Sequence, residues 1–190
     1  MLETSRIILR LLEERDLPLR VKWVNDPGIC SMLMFDYPLS LAKTQAWFHQ
    51  TVLDPTKVHF SVVDRATEVV IGMTGLLDIT PKHQRAQFYI TIGEKDYWGK
   101  GIAGEVIGAV TEYGYNELNL NRIYLYTLPG NGRARKVYER NGFVREGVLR
   151  QHYYCVGQFQ DLTVHSMLRI DWLAQRQGET GSSGEHHSEK

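Results

Sequence analysis

The sequence predicts one α/β domain, a mixed α+β sheet that is mostly antiparallel and flanked by helices, on three observations. β-Branched and aromatic residues alternate through 58–79 and again through 85–92, the pattern of a strand meander. Ile102, Val106, Ala109, Val110 and Tyr113 then recur at three and four residues, which is helical spacing. Residues 122–127 return to a strand, placing a strand-helix-strand crossover in the middle of the chain. A length of 190 residues suits one packed core and is too short for two enzyme-sized domains, so 1–177 reads as a single domain.

The elements follow in order. Residues 5–12 are apolar and β-branched between charges, a first strand. Asp16 followed by Leu17 and Pro18 marks a helix start, with Leu19 and Trp23 four apart on one face, and the helix stops at the breaker cluster Asn25-Asp26-Pro27-Gly28. Ser40 caps a second helix whose Leu41, Trp47, Phe48 and Val52 form a loose apolar stripe. A turn at 64–68 divides 58–79 into two strands, and the helix that opens at Ile102 runs to Leu118. Residues 133–140 form a short helix, after which strands 143–154 and 158–170 turn near Val156-Gly157-Gln158. The stretch 178–190 has no Ile, Leu, Val or Phe to offset the entropy of ordering it and is expected to be a disordered tail.

Composition narrows the partners. Twenty-two Lys and Arg balance twenty-two Asp and Glu, so no overall field draws the chain to nucleic acid or an anionic membrane, and neither is expected as a partner. Nowhere do eighteen apolar residues run together, and Met1-Leu2-Glu3-Thr4-Ser5-Arg6 lacks the start of a secretory signal. Cys30 and Cys155 are too few and too far apart for a disulfide framework or zinc site, and the seven histidines show no ligand spacing, so no metal is expected. A soluble cytoplasmic protein is the expectation.

Two segments carry chemistry. Tyr97-Trp98-Gly99-Lys100-Gly101-Ile102-Ala103-Gly104 follows a strand and opens the long helix. Its glycines and alanine remove side chains where a ligand would approach the backbone, and the free N–H groups of a helix start suit an anion such as pyrophosphate. The same letters also fit a glycine-rich connection that only turns the chain. The spacing is neither a dinucleotide fingerprint nor a P-loop, which argues against nucleotide hydrolysis. About thirty residues on, Asn131-Gly132-Arg133-Ala134-Arg135-Lys136-Val137-Tyr138-Glu139-Arg140-Asn141-Gly142-Phe143 forms a helix that Asn131 can cap and Asn141-Gly142 can close. Taken alone, Tyr138 reads as a packing aromatic before it reads as a catalyst.

Together, in this order and separation, the two segments resemble the Gcn5-related N-acetyltransferase (GNAT) family. Its pyrophosphate loop, Gln/Arg-x-x-Gly-x-Gly/Ala, is matched by Gly101 and Ala103, while Trp98 departs from the usual first residue. Asn131, Ala134, Tyr138 and Gly142-Phe143 are in register with the family's second cofactor motif. The resemblance spans about residues 3–172. The carboxyl-terminal half is similar to spermidine and ribosomal-protein N-acetyltransferases, whereas 23–49 resembles enzymes that acetylate nucleotide-linked amino sugars. It implies the GNAT-like acyl-CoA N-acyltransferase fold and an enzyme that moves acetyl from acetyl-CoA to an amine by direct attack in a ternary complex.

Acetyl transfer from a thioester needs a neutral amine, a stabilised oxyanion and a proton for the departing thiolate. By resemblance, Tyr138 is the general acid, a phenol near ~10 facing a thiol near ~8.5. Backbone around Ile90 and Ile92 holds the oxyanion where two strands splay for the pantetheine arm. Trp98, Gly99, Lys100, Gly101, Ile102, Ala103 and Gly104 surround the pyrophosphate, with the amides of 100–104 as the grip. Asn131 meets the pantetheine beside Ala134, and Arg133, Arg135 or Lys136 meets the adenosine phosphates, at least one of them being only a solvated helix face.

The general base stays open, because Gln87 stands where spermidine-type relatives carry a glutamate and cannot remove a proton. His83, Asp78 and Glu94 are candidates through a water, with His49 and His59 behind them. Phe35, Asp36, Tyr37 and Gln87 are the expected acceptor contacts. A polyamine calls for several carboxylates, yet Asp36 is the only acid in 28–53, so an amino sugar stands slightly ahead of a polyamine. The alternatives are a protein amino terminus of the ribosomal-protein type and a non-catalytic acetyl-CoA sensor. A homodimer through the closing strand pair is also open.

Overall fold

In the computed structural model, residues 1–34, 37–155 and 157–182 are described, with side chains to 177. The elements are β1 (Leu2–Glu3), β2 (Ile7–Leu11), α1 (Leu17–Val24), α2 (Pro27–Cys30), α3 (Leu41–Thr51), β3 (Val58–Asp64), β4 (Val70–Thr80) and β5 (Arg85–Ile92), followed by α4 (Ile102–Asn116), β6 (Arg122–Thr127), α5 (Gly132–Arg140), β7 (Val144–Cys155), β8 (Gln158–Leu168) and α6 (Arg169–Ser182). Among the described residues the strands form one sheet in the order β1-β2-β3-β4-β5-β6-β8-β7. Every pairing is antiparallel except β5 with β6, the pair joined by the crossover through α4.

Two cores sit on opposite faces. Ile102, Val106, Ile107 and Val110 of α4 pack on Phe60, Leu76, Phe88 and Ile123, which is the face the helical spacing predicted. On the other face, Leu17 and Trp23 of α1 and Ile29 of α2 cover Met73, joined by Trp47 and Phe48 of α3. Because side chains alternate along a strand, β5 feeds both layers: Ala86 and Phe88 join the α4 core, while Gln87 and Tyr89 turn to the α1–α3 side. Among the described residues no helix is long and apolar enough to cross a membrane.

Four segments differ from the sequence expectation. The cluster Asn25-Asp26-Pro27-Gly28 ends α1 and also starts α2, because the Asp26 carboxylate accepts from Gly28 N–H (2.7 Å) and Pro27 takes the first helical position. The last strand stops at Leu168, so Ile170 lies in α6, whose Trp172 is buried against Tyr115 (ring centroids 5.1 Å). That helix continues to Ser182, so the stretch 178–190 expected as a tail begins inside a helix. The long helix closes at Asn116 rather than Leu118.

Asp16, 2 % exposed, locks α1 to the sheet. Its carboxylate accepts both Arg10 guanidinium nitrogens (2.7 Å each), the Ser61 hydroxyl (2.7 Å) and the Glu13 amide (3.1 Å). Burial pushes the carboxyl up, but these donors outweigh it and hold the group below the usual carboxylate range. Its folded pKa is therefore below its unfolded one, so this stabilisation is complete above about pH 4 and is lost as pH falls through the folded value. Asp16→Asn is expected to cost about 3 kcal/mol, the low end for a broken buried pair because Arg10 stays partly exposed. Thermal melts at pH 7 should show a drop of about 6–12 °C.

Candidate active site

Strands β5 and β6 hold together only from Arg85–Gln87 against Arg122–Tyr124 and then diverge. The resulting cleft has a volume of about 790 Å³ and runs through the sheet from the α1–α3 side to the starts of α4 and α5. Gly93 N–H donates to Ile71 C=O (2.9 Å). In the alternation of an antiparallel ladder, Thr91 and Tyr89 therefore turn their amides to β4, while Ile92 and Ile90 turn theirs toward the gap. Ile90 and Ile92 thus present backbone donors where the sequence reading placed the oxyanion contact. The Ile92 carbonyl faces the same way and accepts from Trp98 Nε1 (2.8 Å). Trp98 therefore pins the end of β5, and its indole also lies 5.2 Å from the Arg133 guanidinium.

The loop into α4 is built as an anion cradle. Gly99 and Gly101 have φ of +79° and +81°, a left-handed conformation that costs glycine little. Among the described residues the amides of Gly99, Lys100, Gly101, Ile102 and Ala103 have no hydrogen-bond partner. The Gly104 amide is already engaged by the Gly101 carbonyl (3.1 Å), which corrects its place in the expected grip. A Cβ on Gly104 would sit 3.3 Å from Asn141 Oδ1, so this glycine serves the approach of α4 to α5. Lys100 offers its amide and not its ammonium: it does not line the cleft, and its carbonyl accepts from Arg6 Nη1 (2.8 Å). Arg6 pairs with Glu105 in the first turn of α4, and Thr4 also donates to Glu105 (2.6 Å), tethering the loop to β1 and β2. The sequence reading missed this tether because its partners are about a hundred residues apart.

Helix α5 forms the opposite wall. Asn131 Oδ1 accepts from Ala134 N–H (3.1 Å), as a cap should, and Asn131, Arg133, Ala134, Lys136, Tyr138 and Arg140 line the cleft. Arg135 does not; it lies 3.9 Å from Glu139 one turn on and is the helix cation that reads as solvated. Arg140 was not anticipated. Gly142 closes the helix at φ +88°, where any side chain would collide with Gln175.

Tyr138 is 8 % exposed and packs edge-on against Phe88 and Phe143. Its hydroxyl has no hydrogen-bond partner among the described residues, and burial pushes it well above the usual phenol range, so it carries its proton throughout neutral pH. Beneath it lies His165, fully buried with both ring nitrogens lacking a partner of hydrogen-bond geometry among the described residues. Burial pushes His165 down and keeps that wall uncharged.

The acceptor end differs most from expectation. Gln87 lines it, but Tyr37 is 60 % exposed and does not, and Phe35 and Asp36 lie outside the described residues. His83 and Asp78 are exposed, and Glu94 accepts from Lys22 (2.7 Å) and from Trp23 Nε1 (2.9 Å) away from the cleft. His59, which the sequence reading ranked lower, is the histidine in the wall, together with Arg20, Trp47, Lys57 and Tyr89.

Such a site suits acyl transfer from a thioester on a diphosphate tether. The amides of 99–103 with Arg133, Lys136 and Arg140 would hold the phosphates of acetyl-CoA, which supplies the activated acetyl group, and the gap beside Ile90 and Ile92 would take the pantetheine.

Comparison with known proteins agrees. An acetyltransferase (GNAT) domain model matches residues 6–144. Spermidine N(1)-acetyltransferase of Vibrio cholerae serotype O1 is 31 % identical over 169 residues, covering 89 % of this chain and 96 % of that protein. The putative ribosomal N-acetyltransferase YdaF of Bacillus subtilis is 26 % identical, covering 90 % and 96 %. The crystal structure of the Vibrio cholerae spermidine N-acetyltransferase with CoA and spermine superposes with a TM-score of 0.83 at 30 % identity, covering 90 % of this chain and 99 % of that one. The chain belongs to the GNAT acetyltransferase family. It is an acetyl-CoA-dependent N-acetyltransferase, and the fold and cofactor expected from the sequence stand.

Proposed function

We propose that this enzyme acetylates the primary amine of a small molecule of low positive charge, an amino sugar being the class that fits, by direct attack with both substrates bound. The observation that carries this reading is the acceptor wall. It contains Arg20, Lys57 and His59 with Trp47, Tyr89 and Gln87, and no Asp or Glu among the described lining residues. A polyamine needs carboxylates to offset its charges, whereas a sugar ring needs flat apolar faces and hydrogen-bonding groups. Lys57 is partly offset by Asp54 (2.8 Å), which does not line the cleft.

Similarity to spermidine N-acetyltransferases over most of the chain favours a polyamine as the second reading. A thiol-release assay across amino sugars, their nucleotide-linked forms, polyamines and short peptides separates the two. The expected result is fastest turnover with an amino sugar. A spermidine rate above that of every amino sugar overturns the assignment in favour of the polyamine, and turnover confined to peptides would place the enzyme with the protein acetyltransferases.

A further inference from the structure

Three residues stand in one row across the sheet: His59 on β3, Gly75 on β4 and Tyr89 on β5 are mutual register partners. Adjacent strands lie about 4.8 Å apart, so His59 and Tyr89 start two spacings from each other and touch only if nothing stands between them. Gly75 leaves that space. A Cβ there would collide with the Val58 carbonyl and lie 2.9 Å from Tyr89 Cε1. Over the glycine, Tyr89 Oη meets His59 Nδ1 at 2.7 Å, and on the far side of the ring His59 Nε2 meets Thr51 Oγ1 at 2.9 Å. Trp47, one turn before Thr51 on α3, meets the imidazole edge-on at 5.1 Å and fixes its plane. Thr74 Oγ1 donates to the Tyr89 carbonyl (2.7 Å) and fixes the other end.

Both His59 and Tyr89 line the cleft, and Tyr89 directly precedes Ile90, whose amide faces the gap. From this arrangement, and resting on the acetyltransferase reading, we propose that Tyr89 is the catalytic group that takes the amine proton, with His59 as the positioning residue that receives it from Tyr89 and Thr51 holding the far side of the imidazole. The groups around His59 are Arg20 from α1, Lys57 and Asp54 from the loop before β3, and Tyr89 from β5. Burial first, then Arg20 and Lys57 against the opposing Asp54, push the imidazole down to about 4, so it is neutral above that pH and accepts from Tyr89.

The proton balance is complete. The amine enters as the free base, its lone pair forms the N–C bond to the acetyl carbon, and the C–S bond breaks with its electrons on sulfur. The nitrogen gives one proton to Tyr89 Oη as Tyr89 passes its own to His59 Nδ1. The imidazolium holds that proton, its Nε2–H hydrogen-bonded to Thr51 Oγ1, while Tyr138 protonates sulfur. Solvent later returns the His59 proton to Tyr138. A weak base suffices because a nitrogen turning into an amide nitrogen is a far stronger acid than the starting ammonium.

The test uses Tyr89→Phe and His59→Asn, whose amide oxygen can accept from Tyr89 but carries no proton onward. Both are assayed with the fastest amine of the panel, beside calorimetry with acetyl-CoA. The expected result is a fall in kcat of about tenfold or more, an acetyl-CoA Kd within twofold of wild type, and a rate that keeps climbing with pH where the wild type levels off. Unchanged kcat and pH profile in either variant overturns the relay, as does a loss of acetyl-CoA affinity that matches the loss of kcat. Binding of acetyl-CoA by the wild type without transfer to any amine also overturns it while leaving the cofactor site standing. No binding at all overturns the acetyltransferase reading beneath it.

Discussion

Tyr138→Phe is expected to lower kcat about 10²-fold while leaving the acetyl-CoA Kd within twofold of wild type, the signature of a lost general acid. The ring itself is part of the core between Phe88 and Phe143, and Phe preserves that packing, so the variant should melt within a few degrees of wild type. Only the hydroxyl is removed, and it has no partner among the described residues to lose. Burial raises the phenol above its solution value, which by itself would widen its gap to a thiol. The leaving sulfur is desolvated in the same cleft, however, and a buried thiolate is also pushed up, so the two groups rise together and the transfer stays feasible. Steady-state kinetics with the best amine, paired with calorimetry, measure the split. Turnover within twofold of wild type would remove Tyr138 from the acid role, and weaker acetyl-CoA binding in step with kcat would make it a wall residue only.

The half of this candidate site proposed to hold the cofactor was legible because it is local. The cradle of 99–103 and the wall of α5 are each one continuous stretch, in which helical spacing, a cap at Asn131 and left-handed glycines can be read residue by residue. Of the acceptor half, Gln87 and the lower-ranked His59 were named, and the rest was not. Arg20, Trp47, His59 and Tyr89 come from four elements and meet only because the β3–β4–β5 register aligns them. One signal was available: Gly75, in the interior of β4, marks a place where neighbouring groups close over the backbone. The helix α6 escaped for a related reason, since Ile170 and Leu173 are exposed and Trp172 is held by its tertiary contact with Tyr115, so no clear apolar stripe announces it. The residue proposed to take the amine proton, Tyr89, lies two residues from Gln87 on β5, and its partner His59, ranked behind His83, Asp78 and Glu94, comes from β3, two strands away.

Two glycine-to-alanine changes seven residues apart should act in opposite directions. At Gly101, φ is +81° and a Cβ would come within 3.3 Å of Arg6 Nη2, so alanine holds a left-handed residue at a cost of about 1–2 kcal/mol. The free loop can relieve that strain by rotating its peptides out of the cradle, and acetyl-CoA must then restore them. The Kd is therefore expected to weaken by about 5–30-fold. At Gly108, in the middle of α4, no atom lies within 4 Å of the added Cβ. Alanine there should stabilise the helix by about 1 kcal/mol, raising Tm by about 2–4 °C with the Kd unchanged. Calorimetry and melts on both variants check the pair. If Gly101→Ala binds acetyl-CoA as tightly as wild type, the five unpartnered amides are not what grips the diphosphate, and the affinity must come from Arg133, Lys136 and Arg140 instead.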